Sequence, residues 1–229
     1  MGTPTAYAFV DLETTGGSAQ HDRITEIAII RVEGESVTRY QSLINPQQHI
    51  SFFIESITGI SNAMVADAPE FAEVADEVWA WLQDCVFVAH NVRFDYGFLK
   101  QAFERVGKDF QPEQLCTVKL SRRLYPEHKH HGLDQLIDRH GLRMSQRHRA
   151  MADADAIYQF WQIVHQEFAA DVLQAACRKV MNKPSLPVYL NPLSIDTLYN
   201  GYGVYLIYGD NDLPLYIGKS KTVKTRLLA

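Results

Sequence analysis

The stretch FVDLETTG, residues 9–16, ends an apolar run that begins at Ala6 and places two carboxylates at its end. A short apolar run of this kind predicts a buried β-strand. Asp11 and Glu13 are two residues apart, so both side chains leave the strand on one face. Two like charges at the end of a buried strand cost stability unless a cation lies between them. The pair indicates either a metal site or a solvated strand end, and taken alone it favours neither.

The apolar periodicity around this stretch predicts an α/β chain, with a mixed sheet and helices packed on it. Further strands are predicted at residues 24–32, 37–44 and 85–90. A turn at residues 33–35 joins the first two of these. Apolar stripes predict helices at residues 71–82, 94–106 and 133–140, and a long helical region that allows a break at residues 150–180. A brief strand that continues as a helix is predicted at residues 115–124.

The composition of the 229-residue chain is that of an ordinary globular protein, with 46% hydrophobic and 21% charged residues. No apolar run reaches membrane-spanning length, and the N-terminus lacks a secretory pattern, so no membrane partner is predicted. Three widely spaced cysteines indicate reduced thiols in a cytoplasmic protein: Cys85, Cys116 and Cys177.

The net charge of -5 argues against a protein that coats DNA indiscriminately. It does not exclude a nuclease, because metal ions neutralise a carboxylate site before it meets phosphate.

A second acidic motif, HNVRFD at residues 90–95, overlaps the end of the strand predicted at residues 85–90. It places Asp95 in the first turn of the next helix, with Asn91 as the expected N-cap. A carboxylate in a first turn also complements the helix dipole. For Asp95 taken alone, that structural role is the better explanation.

A third motif, HRAMAD at residues 148–153, opens the long helical region. Asp153 lies near the start of the helix, and His148 comes just before it. An isolated histidine is more often a surface residue than a functional one. Four other histidines are predicted to be surface residues without a role, since they lack partners at ligand spacing: His128, His130, His131 and His140.

The order and local sequences of these three motifs resemble those of the DEDDh exonucleases. This DnaQ-like family includes the proofreading epsilon subunit of bacterial replicative DNA polymerase. Residues 57–61 and 67–71 resemble the family's segment before its first helix, although Thr58 stands where many relatives have His. The resemblance covers roughly residues 5–168 and implies a ribonuclease-H-like fold, a mixed sheet flanked by helices.

The resemblance also implies the chemistry, a two-metal 3′→5′ exonuclease that releases nucleoside monophosphates. Hard oxygen ligands suit two divalent cations, Mg²⁺ or Mn²⁺. By resemblance, Asp11 bridges both ions, Glu13 and Asp153 hold the ion that carries the attacking water, and Asp95 helps to place the second ion. By resemblance, His148 is the general base, a role that histidine fills more often than any other side chain.

Substrate contacts are implied less directly. By resemblance, the terminal nucleotide lies over Leu12, Thr14 and Thr15 through backbone and hydroxyl contacts. Ile57 and Phe94 are candidates for packing on bases, because stacking tolerates any sequence. Core packing explains Ile57 and Phe94 equally well.

The last part of the chain has a different character. Prolines at 184, 187 and 192 predict an extended linker over residues 183–200. Beyond it, GVY at residues 203–205 and YIG at residues 216–218 predict a hairpin and resemble the opening of a GIY-YIG (UvrC-like) endonuclease domain. The resemblance implies four active-site positions: Tyr205, Tyr216, Lys219 and Arg226. The family's metal-binding Glu would lie beyond Ala229, so residues 201–229 are interpreted as an incomplete endonuclease segment after an exonuclease domain at residues 1–182.

The sequence therefore predicts an exonuclease that acts on nucleic acid with a 3′ end, preferably DNA, in proofreading or repair. A DNA polymerase or repair proteins are the candidate protein partners. Two alternatives stay open: an RNA 3′ exonuclease of the same family, and a non-catalytic nucleic-acid-binding module that tethers a repair endonuclease. The presence of all five active-site residues disfavours the second alternative.

Overall fold

A computed structural model describes residues 6–181, 199, 201–208 and 214–223, without the side chains of residues 207, 208, 214 and 215. The chain divides into two compact units, Met1–Met181 and Asn182–Ala229. Among the described residues, no helix has both the length and the apolar character needed to cross a membrane.

The first unit contains a mixed five-stranded sheet, which confirms the α/β fold with helices on a mixed sheet. In sheet order the strands are β3 (Ser36–Leu43), β2 (Ile24–Glu33), β1 (Ala6–Thr14), β4 (Val86–Ala89) and β5 (Gln114–Cys116). β1, β2 and β3 pair antiparallel, as the short connection between β2 and β3 requires. β4 and β5 continue the sheet parallel to β1, each after a helical crossover.

Eight helices complete the described part of the first unit. They are α1 (Phe52–Thr58), α2 (Asn62–Val65), α3 (Phe71–Leu82), α4 (Arg93–Arg105), α5 (Thr117–Leu124), α6 (Leu133–His140), α7 (Ala150–Glu167) and α8 (Ala170–Met181). The helical region predicted at residues 150–180 divides between α7 and α8. The short helices α1 and α2 were not predicted, although the hydroxyls of Ser51 and Ser61 cap them.

Helix α7 packs against β1 and β2 and sets the position of the acidic strand end. The ring of Tyr7 lies 4.8 Å from that of Trp161, and the ring of Phe9 lies 5.2 Å from that of Tyr158. These two residues and the carboxylates at positions 11 and 13 share one face of β1, because side chains alternate along a strand. The chain thus brings the acidic end of β1 to the N-terminus of α7.

Three local predictions are corrected or completed by the structure. Asn91 is not the N-cap of α4: it adopts a left-handed conformation (φ 65°), and Val92 occupies the cap position. His131 is not a surface residue, since it is 5% exposed and its Nδ1 lies 2.8 Å from the Ser121 hydroxyl. The three cysteines are buried and unpaired.

The described part of the second unit is an antiparallel hairpin, as expected for residues 203–218. Its strands are β6 (Gly203–Tyr208) and β7 (Pro214–Ser220). Several apolar side chains on it are exposed: Val204, Leu206, Tyr216 and Ile217. Arg226 and the predicted linker, apart from residue 199, lie outside the described residues.

Candidate active site

The acidic residues of the three motifs meet at one end of the sheet. Asp11 and Glu13 lie at the end of β1, and β4 leads in parallel from β1 into Asp95 in the first turn of α4. The carboxyl ends of parallel strands lie at the same edge of a sheet, which is where α/β proteins commonly bind ligands. Asp153 arrives at this edge from the first turn of α7.

Glu13, His148 and Asp153 form the tightest group in this cluster. One ligand atom from each lies within 4.8 Å of the others, and both carboxylates are buried while His148 is exposed. The Oδ1 atom of Asp153 is buried without a hydrogen-bond partner. A buried carboxylate oxygen without a donor is costly in a folded protein, so this atom marks a place where a cation fits.

Asp11 and Asp95 belong to the same electrostatic cluster. Burial raises the pKa of Asp11 well above its usual value, and the charges of Asp95, Asp153 and Glu13 raise it further. The pKa of Asp95 is also raised well above its usual value by burial, although hydrogen bonds from its own backbone and from the backbone of Leu12 oppose the shift. The bond to Leu12 ties the start of α4 to β1.

The pKa of Glu13 is raised in the same way. Burial raises its pKa to about 8, and the charges of Asp153 and Glu26 add to the effect against the opposing charges of Arg147 and Arg149. Burial also raises the pKa of Asp153. Four carboxyl groups with raised pKa values in one cluster are a pattern typical of functional sites.

One cationic side chain already reaches the cluster. The guanidinium of Arg147 donates from Nη1 to Asp153 and from Nε to Asp134 Oδ1 of α6, the latter at 2.5 Å. Its position beside Asp153 shows that the cluster accepts a positive charge.

His148 has an unusual backbone. Its φ of 57° lies in the left-handed region, which non-glycine residues adopt rarely. Its backbone N–H donates to Asp153 Oδ2 at 3.3 Å. The loop thus holds the backbone of His148 against the acidic cluster while its imidazole faces solvent.

Sequence reasoning missed Glu26 of β2, which is fully buried and lies opposite Glu13 in the strand register. Arg149 donates to both of its oxygens, at 2.7 and 3.1 Å, and the Ala150 N–H donates at 3.0 Å. The sequence did contain a signal, because Glu26 is the one charged residue in the otherwise uncharged run at residues 24–30.

The residues expected to contact the terminal nucleotide differ in how far they are exposed. Leu12, Thr14 and Thr15 are buried, and the Thr14 hydroxyl donates to the Gly16 carbonyl at 2.7 Å. Ile57 is 39% exposed on α1. Phe94 is half-buried, and its ring lies 4.8 Å from that of Phe98: it contacts the core on at least one side.

The positions that resemble an endonuclease lie in the second unit. The rings of Tyr205 and Tyr216 are 5.9 Å apart across the hairpin. A Cβ atom on Gly218 would collide with the Tyr205 ring, so this contact requires glycine. Lys219 is exposed on β7.

The first-unit cluster fits divalent metal ions. Its carboxylate oxygens suit hard cations such as Mg²⁺ or Mn²⁺, and His148 lies beside two of the carboxylates. The unpartnered oxygen of Asp153 and the guanidinium of Arg147 both indicate where positive charge is accepted.

Similar solved structures share this fold. Exonuclease X in complex with 5′ overhanging duplex DNA has 26% identity and a TM-score of 0.57, covering 75% of this chain and 99% of that chain. A structure of exonuclease I has 21% identity and a TM-score of 0.67, covering 75% of this chain and 43% of that chain. A zinc-bound complex of Escherichia coli exonuclease I with single-stranded DNA has 22% identity and a TM-score of 0.66, covering 76% and 42%.

Relatives by sequence point in the same direction. The PolC-type DNA polymerase III of Staphylococcus saprophyticus is 39% identical over 163 residues, and that of Staphylococcus aureus is 39% identical over 165 residues. Each match covers 70% of this chain but only 11% of the polymerase. The model of the RNase T family, described as exonuclease, matches residues 8–161. The chain belongs to this exonuclease family.

Proposed function

We propose that the chain is a metal-dependent 3′→5′ exonuclease that releases nucleoside monophosphates from DNA 3′ ends. One observation carries the proposal: four carboxylates with raised pKa values and His148 converge at one sheet edge in a chain of an exonuclease family. Each residue has a structural explanation when taken alone. Their convergence has none, because packing buried carboxylates together opposes folding.

The four carboxylates would hold two divalent cations, and Asp11 would contribute to holding both. Glu13 and Asp153 would hold one ion, and Asp95 would help to place the other. When bound, such ions activate the attacking water and stabilise the leaving 3′ oxygen. The contribution of the chain is to fix the oxygen ligands before the ions arrive, since β1, α4 and α7 are held together by the core.

His148 would take the proton from the attacking water. Its ligand atom lies within 4.8 Å of those of Glu13 and Asp153, the two carboxylates that would hold the ion carrying the water. Its exposure allows the proton to pass on to solvent between turnovers.

The 3′-terminal nucleotide would lie across the end of β1. Because Leu12 and Thr14 are buried, they would contact it mainly through the backbone. Ile57 would pack on a base. Phe53 is 69% exposed and lies on the same face of α1, because the two residues are four apart, so it would extend the same apolar surface. Phe94 would support the same nucleotide from the start of α4.

DNA is the proposed substrate, in proofreading or repair. The support comes from the relatives: the polymerases are DNA polymerases, and the exonuclease X structure is described with duplex DNA. A DNA polymerase or repair proteins are the proposed partners. RNA remains the alternative substrate that the assay below distinguishes.

For the second unit, we propose a segment of a GIY-YIG endonuclease, with Tyr205, Tyr216, Lys219 and Arg226 as its matched positions. The support is the pair of tripeptides on an antiparallel hairpin and the close contact of Gly218 with Tyr205. This proposal is independent of the exonuclease.

The test uses matched single-stranded DNA and RNA oligonucleotides labelled at the 5′ end, with Mg²⁺ or with a chelator. We expect a ladder of progressively shorter labelled DNA with Mg²⁺ and none with the chelator. Asp11→Asn should give no ladder, whereas Asp138→Asn, which changes an exposed carboxylate on α6, should behave like the wild type. Immediate release of the labelled nucleotide would show the opposite direction, and activity in the chelator would exclude the metal mechanism. Faster degradation of RNA would favour the alternative substrate.

A further inference from the structure

His148 lies between two arginines that are anchored to different elements. Arg147 reaches Asp134 of α6 and Asp153 of α7. Arg149 reaches Glu26 of β2 through both carboxylate oxygens. Among the described residues, the imidazole of His148 itself makes no hydrogen bond. Its position therefore depends on the backbone on either side of it.

The two anchors differ in whether they involve a proposed metal ligand. Arg147 contacts Asp153, so its anchor includes a carboxylate that would also hold an ion. The bond between Arg149 and Glu26 does not involve a proposed metal ligand. The partners of this anchor are independent of the carboxylates that would hold the ions.

Glu26 also supplies a missing helix cap. The N-cap residue of α7 is Arg149, whose side chain makes no capping hydrogen bond. Glu26 accepts the Ala150 N–H at 3.0 Å and so caps α7 from a neighbouring strand. Gln41 of β3 donates to its other oxygen at 2.9 Å. A single buried carboxylate thus fixes the first residue of α7 and the residue after His148.

We propose that Glu26 is a positioning residue that acts through Arg149 to hold His148 at the working distance from the acidic cluster. This inference rests on the proposed function, since it assigns a partner to the proposed base. Glu26 lies opposite Glu13 in the strand register. Paired positions on β1 and β2 therefore carry a proposed metal ligand, Glu13, and the residue that anchors the proposed base, Glu26.

The test is a double-mutant cycle between Arg149→Ala and His148→Ala, with kcat and KM measured separately on a DNA oligonucleotide. Arg149 is preferred to Glu26 as the site of substitution, because its side chain is 28% exposed and that of Glu26 is 1% exposed. Arg149→Ala should lower kcat by about 10–100-fold, the usual effect of losing a residue that orients an active-site group. KM should stay unchanged, and the rates are compared at saturating Mn²⁺, because the charge of Arg149 also lowers the pKa of Glu13. Arg149→Lys should restore part of kcat, because it keeps the charge but not the two-point contact.

The decisive outcome is the behaviour in the His148→Ala background. If Arg149 acts through His148, its removal there should cost little or nothing. Arg39→Ala is the matched control, because the Arg39–Asp155 pair also joins the sheet to α7, at 3.3 Å, but on an exposed face; its kcat should be normal. An unchanged kcat in Arg149→Ala, or an equal loss in both backgrounds, would overturn the positioning role. A wild-type protein without metal-dependent activity would instead contradict the proposed function.

Discussion

Glu13 and Glu26 lie opposite each other on neighbouring strands, and both are buried, yet their pKa values shift in opposite directions. Burial raises the pKa of Glu13 to about 8. Burial would also raise the pKa of Glu26, but hydrogen bonds from Arg149, the Ala150 N–H and Gln41 hold it below its usual value. The difference lies in the partners, since the strand environment is shared.

The comparison separates a carboxylate that the protein satisfies itself from one that it leaves unsatisfied. Glu26 accepts hydrogen bonds from three residues of the fold, one of which is the cation Arg149. Glu13 interacts with the charges of Asp153 and Asp11 instead, and the nearby charges of Arg147 and Arg149 offset the rise in its pKa only in part. Glu26 therefore belongs to the framework, and Glu13 to a site completed from outside. The predictions below test this division.

The largest expected effect is the loss of activity when a carboxylate of the acidic cluster is replaced. Asp11→Asn should reduce nucleotide release to background, because it removes the proposed bridging ligand. The same change should raise the free energy of unfolding of the metal-free protein by about 0.5–2 kcal/mol, as is common when a strained functional group is removed. Chemical denaturation and the oligonucleotide assay measure the two effects. Glu26→Gln should lower the free energy of unfolding, and an increase would contradict the division between Glu26 and Glu13.

The next effect is that of the proposed base. His148→Ala should slow the reaction by roughly 10²–10⁴-fold, the usual contribution of a general base. Because its side chain is exposed, the stability should hardly change. Single-turnover rates under saturating Mg²⁺ provide the measurement. A rate within a few-fold of the wild type would remove His148 from the mechanism.

A smaller effect concerns pH. A carboxyl whose pKa is raised on folding binds its proton more tightly in the folded state than in the unfolded one. For Glu13, the stabilising contribution is complete below the unfolded value of 4.5 and is lost as the pH rises through about 8. Metal-free protein should therefore become less stable between these values, and Mn²⁺ should stabilise it more at pH 8 than at pH 6. Thermal unfolding with and without Mn²⁺ gives the comparison. Equal stabilisation at both pH values would contradict it.

The smallest expected effect is that of the hairpin. Shortening the chain to end at Asn182 should leave the exonuclease rate unchanged, since every proposed site residue of the exonuclease lies in the first unit. The assay compares both forms on the same 3′-ended oligonucleotide. A large loss of activity in the short form would show that the second unit contributes to the site.

The sequence predicted the strands and helices that form this site better than the side-chain contacts within it. The alternation of Asp11 and Glu13 and the apolar run before them were sufficient to predict β1 and its acidic face. Short helices such as α1 were missed because seven residues give little periodicity, although Ser51 was a readable cap. Asn91 was assigned as a cap from its residue type, and its left-handed backbone could not be foreseen.

Glu26 shows why long-range ties were harder to predict. Its partner Arg149 is 123 residues away, and nothing in either local sequence pairs them. The roles of the site residues themselves stay predictions, because the structure gives their positions and charges rather than their chemistry.

The central claim is that divalent cations complete the carboxylate cluster around Glu13. Titration calorimetry with Mn²⁺ at pH 7, repeated in two buffers of different ionisation enthalpy, measures both the affinity and the number of protons released. Metal binding requires deprotonated ligands, so carboxyl groups with raised pKa values must release protons. We predict saturable binding with proton release, weakened in Glu13→Gln and unchanged in Asp138→Asn. No saturable binding, or binding with a proton count that Glu13→Gln leaves unaltered, would contradict the account.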